Sequence, residues 1–260
     1  MRIEGAGGEP IRSIEDWLRL APPKGRDAQW RDGRSAKELA KAWLPEPGDP
    51  SPPVELEALL MTAGTFGTIT FDVGYPELRV RFDRVRGEPR NTDLAIGAQA
   101  LVGPIAISVE AKADESFGRT LGQEVVEAAA DWSFEERPGK LERLQGLVRA
   151  IIPARSPDQA ALGSLRYQLL TATAGAWTFA AQRGAAIAIL VVHEFLGPRI
   201  NAARLRANAD DLDAFMDRVT GGAHPSLAHD ELVGPLPVPP SDMWVGVTEW
   251  YLGKCRRDLP

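Results

Sequence analysis

Two neighbouring segments hold acid and amine groups at a spacing that can do chemistry. They are Asn91-Thr92-Asp93-Leu94-Ala95-Ile96-Gly97 and Ile105-Ala106-Ile107-Ser108-Val109-Glu110-Ala111-Lys112. Successive side chains of a strand point to opposite faces. Ala106, Ser108, Glu110 and Lys112 therefore share one face, and Ile105, Ile107, Val109 and Ala111 the other. Asp93, Ala95 and Gly97 sort in the same way against Leu94 and Ile96. A hairpin turning near residues 101 and 102 sets Asp93 opposite Glu110 and Ile96 opposite Ile107. Directly opposed residues have Cβ atoms about 5 Å apart. Two carboxylates that close repel unless a cation lies between them, and a hard divalent ion with oxygen ligands, Mg²⁺ or Mn²⁺, suits that place. Lys112 could then orient or deprotonate a water, or neutralise charge building on a phosphate. The alternative is that Lys112 only pairs with one carboxylate at a sheet edge. Glu110-Ala111-Lys112 is the one Glu-x-Lys in the chain.

The flanking sequence predicts the elements that position these groups. Ser13 caps a short helix to Leu20, and the capping-box pattern Ser35-Ala36-Lys37-Glu38 opens a second to about Leu44. Trp17, Trp30 and Trp43 are expected to pack this helical lead-in, residues 1–50, onto the main body. The Pro/Gly-rich stretch Pro45 to Pro53 reads as a linker. A helix over Val54 to Thr62 follows, then strands Thr65–Val73 and Glu77–Arg86 around a turn at Gly74-Tyr75-Pro76. After the charged pair of strands come helices over Gly118–Phe134, ended by Pro138, and over Leu141–Ile152. A long helix over Asp158–Gln182 is expected to stop at Gly184. Ala185 to Val192 is apolar without alternation, as in a strand buried on both faces. Residues 196–260 add a helix from about Ala209 to Val219 and strand character over Met243–Leu252. The whole reads as an α/β fold, a mixed central sheet flanked by helices with an N-terminal helical appendage.

Composition narrows the classes. The chain has 260 residues, 44% hydrophobic and 25% charged, ordinary for a globular protein. It has no apolar stretch of the roughly 20 residues that span a bilayer and no signal-like N-terminus, so a cytoplasmic protein without a membrane partner is expected. A single cysteine, Cys255, excludes an intramolecular disulfide. Net charge −6 argues against a general DNA-coating protein but leaves room for a local basic cleft. Arg79, Arg81, Arg84, Arg86 and Arg90 form the most basic stretch, able to track a phosphate backbone or simply to solvate a sheet face. His193 reads as a core histidine or strand cap, and His224, His229 and Asp230 lack zinc-protease spacing. No P-loop, dinucleotide or nucleophile-elbow motif is present.

At Asp93, Glu110 and Lys112, with a spacing of seventeen between the carboxylates, the chain resembles the PD-(D/E)XK, or restriction-endonuclease-like, nuclease superfamily. The resemblance covers residues 51 to 195, in the order helix, strands, charged hairpin, helix, strand. The run Arg90 to Asp93 with Val109 to Gly118 looks like a bacterial branch of that superfamily, from which no biochemical role carries over. The superfamily's proline is replaced by Thr92. The resemblance implies metal-dependent hydrolysis of a nucleic-acid phosphodiester, with Asp93 and Glu110 as Mg²⁺ or Mn²⁺ ligands and Lys112 activating water. It implies a further glutamate from the preceding helix, Glu57 before Glu55, and phosphate contacts from Arg166 or Gln168. Asp114 and Glu115 fit loop solvation better than the site. The expected partner is nucleic acid, and a homodimer is one assembly open to the chain. The alternative is a non-catalytic module that keeps the fold to bind a protein or nucleic acid.

Overall fold

The alternation of Ile105, Ile107 and Val109 with Ala106 and Ser108 is realised as a central strand with a different core on each side. The computed structural model describes residues 1–45, 48–85, 87–135, 139–153, 159–198 and 200–260. Among them, β1 (Arg2–Ile3), β2 (Thr70–Val80), β3 (Arg90–Ala100), β4 (Gly103–Lys112), β5 (Ile187–Leu196), β6 (Glu231–Pro237) and β7 (Glu249–Asp258) form one mixed sheet. Their spatial order is β1-β2-β3-β4-β5-β7-β6. β2, β3 and β4 are successively antiparallel, whereas β4, β5 and β7 run parallel. β5 is buried almost end to end between β4 and β7, as its unbroken apolar run predicts.

Helices lie on both faces. α1 (Ile14–Leu20), α2 (Ser35–Trp43) and α3 (Val54–Met61) bury Trp17, Trp43, Leu56, Leu59 and Leu60 against Leu94, Ile96, Ile107 and Val109. On the opposite face, α4 (Leu121–Glu135), α5 (Gly139–Ile151), α7 (Tyr167–Gln182) and α8 (Ala202–Val219) pack on Ala95, Ala106, Ala188 and Leu190. The small residues there let α7 approach closely. No described helix is long and apolar enough to cross a membrane.

Several expectations are corrected. β2 is one strand through Pro76, not two around a turn. Proline is tolerated because β1 covers only Val73 and Gly74, leaving that edge open beyond them. The long helix before Gly184 is two, α6 (Gln159–Ser164) and α7, because Arg166 is extended and bridges Thr120. Ser35 does not cap α2; Arg34 occupies the cap, and Glu38 instead accepts the Gly33 N–H at 2.7 Å. The tail contributes β6 as well as the expected strand, which is displaced to Glu249–Asp258. Trp17 and Trp43 are core residues and Trp30 is half-buried. The linker positions 46–47, the break at Pro138, the helix start at Asp158 and Arg86 lie outside the described residues.

Candidate functional site

The β3–β4 hairpin turns where expected, with Ala100 paired to Gly103, Ile96 to Ile107 and Leu94 to Val109. Backbone pairing ends there. Asp93 then uses its side chain to continue the ladder, its Oδ2 accepting the Ala111 N–H at 2.7 Å. On β4, Glu110 and Lys112 are 1% and 4% exposed. Their charges are matched locally. Lys112 Nζ donates to Glu110 Oε1 at 2.8 Å and to Gln168 Oε1 at 3.2 Å, and it lies 4.9 Å from the Phe117 ring centroid. Gln168 Nε2 donates to Glu110 Oε1, and the Arg90 guanidinium binds Glu110 Oε2. Burial alone would raise the Glu110 carboxyl, but Lys112 and Arg90 overcome it and hold the group below the usual carboxylate value. Lys112 thus pairs with a carboxylate, but inside the sheet rather than at its edge.

A third carboxylate completes the group. Glu77 stands in β2 between the pairs Pro76–Leu94 and Leu78–Thr92, a register that puts it across from Asp93. Its backbone is left-handed, φ 52°, which a non-glycine residue adopts only where its surroundings enforce it. Asn91 Nδ2 donates to its Oε2. Burial and the neighbouring Asp93 push Glu77 up to about 8, while burial and Glu110 push Asp93 up to about 7. These are two acids that would gain from a nearby cation.

For a divalent cation the donor set fits in kind and in charge: hard carboxylate oxygens from three adjacent strands, two of them raised by burial and mutual repulsion. It is not drawn together. Among the described residues no three His, Cys, Asp or Glu side chains close around one point, and Glu110 is engaged by Arg90, Lys112 and Gln168. One donor beside them, Arg90 Nε, is buried without a hydrogen-bond partner among the described residues.

Other expected residues fall elsewhere. Glu57 is exposed on α3, which packs on the far face of the sheet, and lines a different cavity with Met61 and Phe71. Glu55 is also remote, bound to His193 Nε2 at 3.0 Å, which makes His193 a satisfied core histidine. Arg166 turns from the site, donating to the Gly118 carbonyl at 2.7 Å and facing Asp211 at 2.8 Å. Gln168 alone of the two helix candidates enters the cleft. Asp114 is taken by Arg34, whereas Glu115 lines the cleft, its Oε2 accepting the Ala113 N–H. Of the basic stretch, Arg81 and Arg84 serve local contacts, and Arg90 lies within the site rather than on the surface. His229 Nδ1 is 3.6 Å from Glu194, away from the carboxylates named above. Glu77 is not marked by the sequence, because alternation from Leu78, Val80 and Phe82 places it on the wet face. The left-handed turn of the backbone defeats that count, since Tyr75 also packs with Leu78 and Val80. No signal in the sequence marks such a residue, glycine being its usual occupant.

These groups line one cleft of about 440 Å³. Sheet residues Glu77, Asp93, Glu110 and Lys112 form one wall, Tyr167 and Gln168 of α7 another, and Lys24, Gln29 and Ser35 the third. Compared with known proteins, residues 10–251 match a family model described as a domain of unknown function (DUF6946). No curated protein and no solved structure matches the chain.

Proposed function

The chain belongs to the DUF6946 family, and we propose that it is a metal-dependent phosphodiester hydrolase acting on nucleic acid through a restriction-endonuclease-like core. The observation that carries this reading is the meeting of Asp93, Glu110 and Lys112 with Glu77 and Gln168 in one cleft. Their order in the chain, α3–β2–β3–β4–α7–β5 with further helices before α7, also agrees with the resemblance.

Asp93 and Glu77 would hold Mg²⁺ or Mn²⁺. Such an ion supplies Lewis-acid charge and makes a bound water a better nucleophile near neutral pH. The protein's own residues do the positioning. Gln168 and Glu110 fix the Lys112 ammonium at the cleft wall, where it offsets negative charge gathering on a phosphate oxygen. Arg90 Nε is a donor lacking an acceptor among the described residues, and an anionic ligand brings acceptors to that wall. In the reaction the water oxygen bonds to phosphorus and the bond to the leaving sugar oxygen breaks. The water proton passes to solvent and the leaving oxygen takes one up.

The test is cleavage of single- and double-stranded DNA and RNA with Mg²⁺ and Mn²⁺. Lys112→Ala should lower the rate by about 10²–10³-fold, the usual effect of removing one preorganised donor, with circular dichroism unchanged. Wild-type protein inert on all four substrates with both ions would sink the proposal. The second reading, a non-catalytic module for a protein or nucleic-acid partner, draws on Glu110, whose oxygens are already bound by Arg90, Lys112 and Gln168. Calorimetric Mn²⁺ titration separates the two: no Asp93-dependent binding favours the module.

A further inference from the structure

Pro23, Lys24, Gln29, Ser35 and Ala36 of the N-terminal segment line the cleft. Beyond α1, Lys24 Nζ binds Glu88 Oε2 at 2.8 Å, just before β3 begins. At its far end Arg34 binds Asp114 at 2.7 Å and the Ser35 N–H reaches Glu115 at 3.4 Å, just after β4 ends. The segment is thus fastened on both sides of the strands that carry Asp93, Glu110 and Lys112. Its two fastenings differ. Lys24 and Glu88 are 81% and 73% exposed, whereas Arg34 and Asp114 are 38% and 23% exposed. An ion pair as exposed as the first contributes little, so that end opens easily.

Two neighbouring cavities share the exposed pair as lining. The cleft of about 440 Å³ holds the carboxylates, and a second of about 390 Å³ is lined by Ala6, Leu20, Pro22 and Arg79. Both are bounded by Lys24, Glu77, Glu88, Pro89 and Asn91. The Lys24–Glu88 and Asn91–Glu77 pairs therefore stand at the border that the two cavities share. Each cavity is the size of a single small-molecule site. A duplex, whose major groove alone is about 12 Å wide, is too broad for cavities of this size, whereas one unpaired strand, contacting the wall nucleotide by nucleotide, suits them.

We propose that the two cavities form one path for an unpaired nucleic-acid strand beneath the Lys24–Ser35 strap. The phosphodiester to be cut lies beside Asp93 and Glu77, the adjoining nucleotides occupy the two cavities, and Arg79, exposed at the far one, meets a phosphate. The cut rests on the hydrolase reading above; the path does not.

The experiment reads binding first and cleavage second. A fluorescently labelled 20-nucleotide single strand and the same sequence as a blunt duplex are titrated with the full chain in EDTA, by anisotropy. The single strand should bind about tenfold or more tightly than the duplex. Arg79→Glu and Lys24→Glu, both at exposed side chains, should each weaken it about threefold or more, because each replaces a cation lining the path with a repelling anion. Equal or tighter duplex binding overturns the proposal. So does a single-strand preference that neither substitution moves. Cleavage is then read with Mn²⁺. A single strand that is bound as expected but left uncut with either metal upholds the path and overturns the hydrolase reading.

Discussion

At the residue level the site is an uneven balance of charge. Glu110 sits between two cations, while Glu77 and Asp93 face each other with little but amides to receive them. Burial and Glu110 push Asp93 up to about 7, above the 3.8 of a free side chain. The folded protein therefore keeps a proton there that the unfolded chain releases above about pH 4. Stability from this group is full below that pH and falls as the pH climbs through 7. Asp93→Asn keeps an acceptor for the Ala111 N–H and removes the charge. We expect the variant to match wild type in thermal unfolding near pH 4 and to exceed it at pH 8 by about 1–3 kcal/mol, the usual cost of a poorly matched buried polar group. Added Mn²⁺ at pH 8 should raise the melting temperature of wild type and not of the variant. A variant equally stabilised at both pH values would show that the Asp93 charge is not what strains the site. Asp93, Glu110 and Lys112 were legible in the sequence because strict alternation holds along β4 and the hairpin turn is tight. Glu77 was not, because one left-handed residue breaks the count.

At the level of elements, β4 and α7 do most of the positioning. Gln168 stands at the start of α7 and reaches both Glu110 and Lys112, and Gly175 two turns on leaves room for Arg90. A Cβ at Gly175 would lie 3.2 Å from Arg90 Cγ, so any larger side chain pushes the arginine off its seat. Gly175→Leu should therefore dislodge Arg90 from Glu110 and lower stability by about 1–3 kcal/mol, as overpacking a close interface does. Urea unfolding checks this, and Gly175→Ala is the control. Alanine adds only one methyl and regains up to about 1 kcal/mol of helix propensity, so it should cost much less. Equal losses for both would place the Gly175 constraint elsewhere. The break before α7 was hidden in the sequence because Leu162, Leu165 and Leu169 continue an apolar pattern across it. The interruption comes from the tertiary bridge of Arg166 with Thr120 and from its bond to the Gly118 carbonyl. That same bridge removes Arg166 from the site and leaves Gln168 in it. Pro76, conversely, carries a local turn signal, but an open sheet edge allows it to stay in line within β2.

At the level of the molecule, the sheet draws strands from all three parts of the sequence: β1 from the lead-in, β2 to β5 from the middle, β6 and β7 from the tail. The mixed sheet flanked by helices was readable from periodicity, but the lead-in reads as an appendage only while β1 goes unseen. Two residues, Arg2 and Ile3, are too short a run to register as a strand, yet they pair with Val73 and Gly74. The lead-in also roofs one face of the sheet, where Trp17 and Trp43 are 2% and 0% exposed against the branched side of β3 and β4. A tryptophan buries roughly 150–250 Å², so at about 25 cal/mol per Å² each contributes about 4–6 kcal/mol of burial. Domains of this kind are stable by only about 5–15 kcal/mol in total. A chain starting at Ser51 would lose the cover that α1 and α2 give Leu94, Ile96, Ile107 and Val109 and should fail to fold cooperatively, giving no sharp thermal transition and binding a hydrophobic dye. Were it instead to melt cooperatively near the full chain's temperature, the lead-in would be an accessory after all, and its strap across the cleft could be removed without unmaking the wall beneath it.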